Sequence, residues 1–179
     1  MKITNQKYLM KNPIHPFLGL GCLLLLALFT TGCPVGITYP LCEADKVEKL
    51  DTRLLGNWKS LSDSAEILEV RLTKKDDVTF NVQVMEHSDN YLNDAFAYFS
   101  WTTKLDGHTF LFSQPAEGES SDYYLYHYAF EGKKLVLHDV GLLVGGVDAV
   151  TSTEAFRKEV SASLKDPDCL SARIEYVKQ

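Results

Sequence analysis

From Leu54 onward, apolar and polar residues change places at nearly every step. In "EILEVRLT", Leu68, Val70 and Leu72 alternate with Glu69 and Arg71, and in "VTFNVQVME" Val78, Phe80, Val82 and Val84 alternate with Thr79, Asn81 and Gln83. A period of two is the mark of a strand buried on one face. The charged break "KKDD" (Lys74–Asp77) between these segments has hairpin length. "LLGNWKS" (Leu54–Ser60) opens a further strand. "DAFAYFSWTTK" (Asp94–Lys104) is apolar on both faces, and "LDG" (Leu105–Gly107) turns it into "HTFLFSQ". "DYYLYHYAFE" (Asp122–Glu131) is an aromatic strand, and Gly132 opens the turn into "KLVLHDV". Strands in succession with short turns lack the crossovers that parallel pairing requires, so the pattern predicts an antiparallel meander.

The tail changes period. "TSTE" (Thr151–Glu154) reads as a capping box in which the Thr151 hydroxyl accepts from the third helical amide. Phe156, Val160 and Leu164 follow at intervals of four, a helical stripe that "DPD" (Asp166–Asp168) stops. A last strand, "LSARIEYVK", places Leu170, Ala172, Ile174 and Tyr176 on one face. About eight strands and one late helix predict a mainly β domain, an antiparallel up-and-down barrel or a strongly curved sheet, since closure removes exposed edges.

The amino end has no alternation at all. Phe17 to Phe29 is an apolar run of 13 residues behind Lys2, Lys7 and Lys11. A membrane-crossing helix needs roughly 20 apolar residues, whereas this length suits the core of an export signal. Thr30, Thr31 and Gly32 then stand directly before Cys33. The segment resembles the lipobox of bacterial lipoproteins, with Thr30 where that class favours Leu. The resemblance implies cleavage before Cys33, a diacylglycerol on its thiol and acylation of the new amino terminus. An ordinary secretory cut near the same place, or a retained anchor, are the alternatives. The expected organisation is a signal peptide over 1–32, a lipidated tether over 33–50 and a β domain over 51–179. In such lipoproteins Asp after the cysteine directs inner-membrane retention in some Gram-negative hosts. Pro34 stands there instead, which in such a host points to the outer membrane, on its periplasmic side.

Charge and cysteines refine this picture. Residues 1–32 hold three lysines and no acid, so their removal takes the net charge from −6 to −9. Nucleic-acid binding needs clustered Lys and Arg, and the chain is not expected to show it. Membrane attachment would come from acyl chains rather than anionic headgroups. Cys22 leaves with the signal; with Cys33 lipidated, Cys42 and Cys169 remain as a pair that an oxidising compartment lets close. Two buried thiols are the alternative to that bridge.

"GNW", with Gly56 and Trp58 at the start of the first strand, resembles the Gly-x-Trp motif of lipocalins. "SDYYLY", with Asp122 and Tyr123, stands near that family's Thr-Asp-Tyr turn motif, Ser121 replacing Thr. The late helix also fits. The resemblance implies a lipocalin-like barrel whose narrow end is closed by Trp58 under a late arginine, either Arg157 or Arg173. The signal, "LLGNWKS" and "VTSTEAF" together also resemble a loose set of bacterial lipoproteins without established activity.

Catalytic patterns are missing from the sequence. No G-x-S-x-G elbow and no C-x-x-C occur, and "GLLVGG" (Gly141–Gly146) lacks the Lys-Ser/Thr of a phosphate loop. His87, His108, His127 and His138 show no metal-ligand spacing, although His127 and His138 can face each other across a hairpin. Neither catalysis, a cofactor nor a metal is expected. What remains is aromatic density. Either it is core, or Phe96, Tyr98, Phe110, Phe112 and Tyr123 line a cup for a small apolar ligand or lipid. A half-exposed aromatic strand face that docks another envelope protein is the further alternative.

Overall fold

The structure, a computed structural model, describes residues 37–42, 46–61, 67–88, 91–117 and 122–179, the side chains of 67, 87, 88 and 91–95 excepted. The chain divides into two units, Met1–Cys33 and Pro34–Gln179. The expected signal and its lipidation point, Cys33, lie outside the described residues.

Eight strands close into one antiparallel barrel: β1 (Gly56–Ser60), β2 (Ile67–Lys74), β3 (Thr79–Ser88), β4 (Tyr91–Leu105), β5 (His108–Pro115), β6 (Tyr124–Glu131), β7 (Lys134–Val140) and β8 (Leu170–Lys178). Each pairs with the next, and β8 returns to β1 with Lys59 opposite Val177. This is the closed up-and-down barrel that the alternation and the lipocalin resemblance imply. The hairpin between β4 and β5 turns on Asp106 and Gly107, at φ 51° and 83°. Such left-handed pairs match the right-handed twist of the strands they join.

The two-residue period sorts the side chains into two cores. Leu54, Trp58, Leu72, Phe80, Val82, Leu111, Tyr128, Leu135 and Tyr176 form one cluster. Only the lumen brings β2 and β3 together with β6 and β7, so these are the inward residues. The second cluster lies outside the wall, where Leu105, Phe110, Phe112 and Leu125 meet Phe156 and Val160 of the single helix, α1 (Thr153–Ser163), together with Ile37 and Leu41. The strands are apolar on both faces here because one face fills the lumen and the other receives the helix. Burying such side chains contributes roughly 1.5–3 kcal/mol each.

The cap of α1 sits one residue later than the sequence suggests. Ser152, not Thr151, is the N-cap, its Oγ accepting from Ala155 N at 3.1 Å. Extended backbone at Ser152 aims its hydroxyl along the first turn, whereas Thr151 is exposed. The loop from β7 to α1 is held by Glu159, a buried carboxylate on the helix. Its Oε1 accepts from Val144 N (3.0 Å), Gly145 N (2.8 Å) and Gly146 N (3.3 Å), and from Ser163 Oγ at 3.2 Å. Burial pushes its pKa up, and these four donors together pull it below the usual carboxylate range.

The expected bridge between Cys42 and Cys169 is not formed. Cys42 Sγ donates to Lys46 O at 3.0 Å, and Cys169 Sγ to Gly141 O at 3.3 Å. Cys42 lines a cleft with Thr153 and Arg157 at the start of α1. Cys169 lies by Gly141, next to the loop whose Leu143 N donates to Ser163 Oγ at the helix end. A helix of 11 residues, ~16 Å at ~1.5 Å per residue, separates those two environments, and a disulfide requires Cα atoms within about 7 Å.

Candidate ligand-binding mouth of the barrel

The two ends of the lumen are built differently. At the end marked by the β2–β3, β4–β5 and β6–β7 hairpins, the interior is filled. Trp58 is 3% exposed, its Nε1 donating to Leu54 O at 2.8 Å, and Phe130 packs against it at 6.2 Å between ring centroids. Gly56, with φ 130°, lies against the Lys178 chain, where an added Cβ would meet Cε at 2.7 Å. Lys178 Nζ stands 5.3 Å from the Trp58 ring and the Arg53 guanidinium 4.5 Å from Phe130. Neither arginine that the lipocalin resemblance offers covers Trp58. Arg157 donates to Leu41 O at 3.2 Å, and Arg173 forks onto Glu131 with Nη atoms at 3.0 and 2.7 Å. Lys178 takes that place because β8 runs its last residue back beside β1, with Lys178 opposite Trp58 in the register.

Toward the other end the inward residues become progressively wetter. Along β2, Leu72 is buried, while Val70 and Leu68 are only half-buried. Along β3, Val82 is buried, Val84 half-buried and Glu86 exposed. On β4, Ser100 is fully buried and its Oγ lies 2.6 Å from that of Ser113; Tyr98 is half-buried, and Phe96, in the same phase, is 44% exposed. With an inward-phase phenylalanine 44% exposed and Val70, Val84 and Tyr98 half-buried, this half of the barrel, the vestibule, is less closely packed than the other. Its walls carry Tyr98 and Tyr124, edge to face at 6.1 Å, with Tyr126 and Tyr176 deeper in. Burial pushes the phenols of Tyr98, Tyr126 and Tyr176 up, Tyr176 to about 12, so these three stay neutral at pH 7. Asp139 shares the space: it pairs with Tyr126 in the register, and burial pushes its carboxyl up.

The five ligand candidates thus separate. Phe96 and Tyr98 belong to the vestibule, but Phe110, Phe112 and Tyr123 lie outside the wall. Phe112 stacks on Tyr123 at 4.7 Å and 15°, and Trp101 meets Phe112 edge-on at 4.9 Å, all beneath α1 or the Ile37 segment. Tyr123 exchanges backbone hydrogen bonds with Ile37 (2.8 and 3.0 Å), so the second motif residue ties down the incoming chain; its neighbour Asp122 is half-buried. Glu86, Asp139 and Tyr176 are vestibule residues that aromatic density alone did not mark. The signal for Asp139 was available: it continues the inward phase of Leu135 and Leu137.

His127 and His138 do face each other across the β6–β7 hairpin, and His108 extends the row. Ring centroids are 5.2 Å apart for His108–His127 and 5.9 Å for His127–His138, on the outer face. Burial, then the neighbouring rings, lowers His127 to about 4. Among the described residues, no three His, Cys, Asp or Glu side chains are arranged to hold a metal ion. Among the described residues, clefts of about 220 Å³ beside Asp51 and Tyr128 and 310 Å³ beside Cys42 and Arg157 lie away from the vestibule, while one of 430 Å³, mainly on the outer face of β2–β4, also touches Val82 and Tyr98.

No protein family, no curated protein and no solved structure matches this chain.

Proposed function

We propose that this protein is a non-catalytic binding module, held in the cell envelope by lipid on Cys33, that carries a small apolar ligand in the open half of its barrel. The basic, apolar and small-residue run ending at Cys33 supports the anchor. The observation that carries the binding reading is Phe96, inward in phase, 44% exposed, beside half-buried Tyr98 and Val84. Apolar walls left in water are what a ligand would cover. The competing role, docking a protein on the outer aromatic face, is less well supported. Trp101, Phe110 and Phe112 already pack in the core that α1 shares with Ile37 and Leu41.

Native mass spectrometry of the full chain purified from its host tests the proposal. A bound molecule of defined mass is expected, and Val84→Trp, which fills the vestibule, should abolish its retention while circular dichroism stays unchanged. Repeated recovery of unliganded protein, or equal retention by Val84→Trp, overturns it.

A further inference from the structure

The vestibule is charged with one sign. Building on its role as a binding site, we infer that its ligand bears a positive charge, an organic ammonium group on an apolar body. Asp139 is the second-last residue of β7, inward in phase, with Tyr126 opposite and Tyr176 near enough for its charge to be felt. Among the described residues no hydrogen bond or ion pair reaches its carboxylate. Glu86, also in the inward phase, is near enough to Tyr98 for its charge to be felt there, and it pairs with Asp94 across the β3–β4 register. No Lys, Arg or His among the described residues stands in the inward phase of this half. The cations near the lumen, Arg53 and Lys178, lie at the filled end over Phe130 and Trp58.

A half-buried carboxylate that accepts no hydrogen bond, with only the neighbouring His138 ring acting on its charge, favours an incoming cation and repels an anion. Tyrosine rings add their negative faces, which attract an ammonium group but offer nothing to a carboxylate or sulfonate. In this proposal the rings of Tyr98, Tyr124, Tyr126 and Tyr176, with Asp139 and Glu86 in the same inward phase, surround the cation, and its hydrocarbon part rests on Val70, Val84 and Ile174. A fatty acid entering head first would set like charges together in a poorly hydrated space.

Isothermal titration calorimetry of the full chain in phospholipid nanodiscs, with empty discs subtracted, tests this with three probes of equal chain length: hexyltrimethylammonium, hexanesulfonate and hexanol. The ammonium should bind at least about tenfold more tightly than the sulfonate, and Asp139→Asn should remove about tenfold of that affinity while sparing hexanol. If Asp139→Asn does not fold, Glu86→Gln, at an exposed position, should still weaken the ammonium severalfold. Equal affinity for the two ions, or variants without effect, overturns the charge assignment and leaves the vestibule as a binding site. Binding by none of the three overturns both readings.

Discussion

At position 159 a carboxylate occupies a place where helix packing would ordinarily call for an apolar side chain. It is tolerated because three amides and a hydroxyl converge on one of its oxygens, and hydrogen bonds to a charged acceptor are individually worth about 1.5–3 kcal/mol. Glu159→Gln keeps the shape but loses the charge, and it should lower the unfolding free energy by about 2–3 kcal/mol. The check is the urea midpoint, together with faster proteolysis between Val144 and Gly146; an unchanged midpoint would remove the clamp from the account. His127 acts on stability in another pH window. Its folded pKa of about 4 lies below the 6.5 of a free imidazole side chain, so the unfolded chain binds the extra proton between those values. Stability should therefore fall as pH drops from about 6.5 to 4, by on the order of 1–2 kcal/mol after discounting for a half-buried ring. Urea titrations at pH 7 and 4.5 measure this, and His127→Phe should flatten the difference. An equal slope in the variant would assign the loss elsewhere.

Among the elements, α1 shows how far sequence reaches. Its stripe of Phe156 and Val160, and its stop before Pro167, follow from spacing alone. The cap required the backbone: both Thr151 and Ser152 carry hydroxyls, and only the extended conformation at Ser152 selects between them. Ser152→Ala should cost about 1 kcal/mol in thermal or urea unfolding, and Thr151→Ala close to nothing. The reverse order would restore the capping box at Thr151. The strands were legible because alternation states which residues share a face. It does not state which face looks inward, since a one-residue change of phase exchanges lumen for exterior. That is why Phe110 and Phe112 were grouped with Phe96 and Tyr98. Cysteine counting failed for a related reason: it pairs thiols by number, and Cys42 and Cys169 sit at opposite ends of a helix. The cation over Trp58 was missed because Lys178 gains its place only when β8 closes on β1.

For the whole molecule, the barrel has a filled end and a wet end, and the chain enters at the wet one, where Ile37 pairs with Tyr123 just before β6 begins. If Cys33 is acylated, only residues 34–36 separate it from Ile37, a reach of at most roughly 14 Å in extended form. The Cys33→Ser chain should move from the membrane fraction to the soluble fraction, as immunoblots of carbonate-washed membranes would show. Unchanged partition would refute the lipid anchor.

The seam of the cylinder is sewn by β8 on β1. Gln179 N still donates to Asn57 O, at 2.9 Å, so the cylinder closes only when β8, the eighth strand in chain order, reaches β1. Until then the polypeptide can form only an open ribbon with two raw margins. Whatever order the other seven strands form in, the wall gains its last pair of backbone ladders only when the eighth docks between β7 and β1.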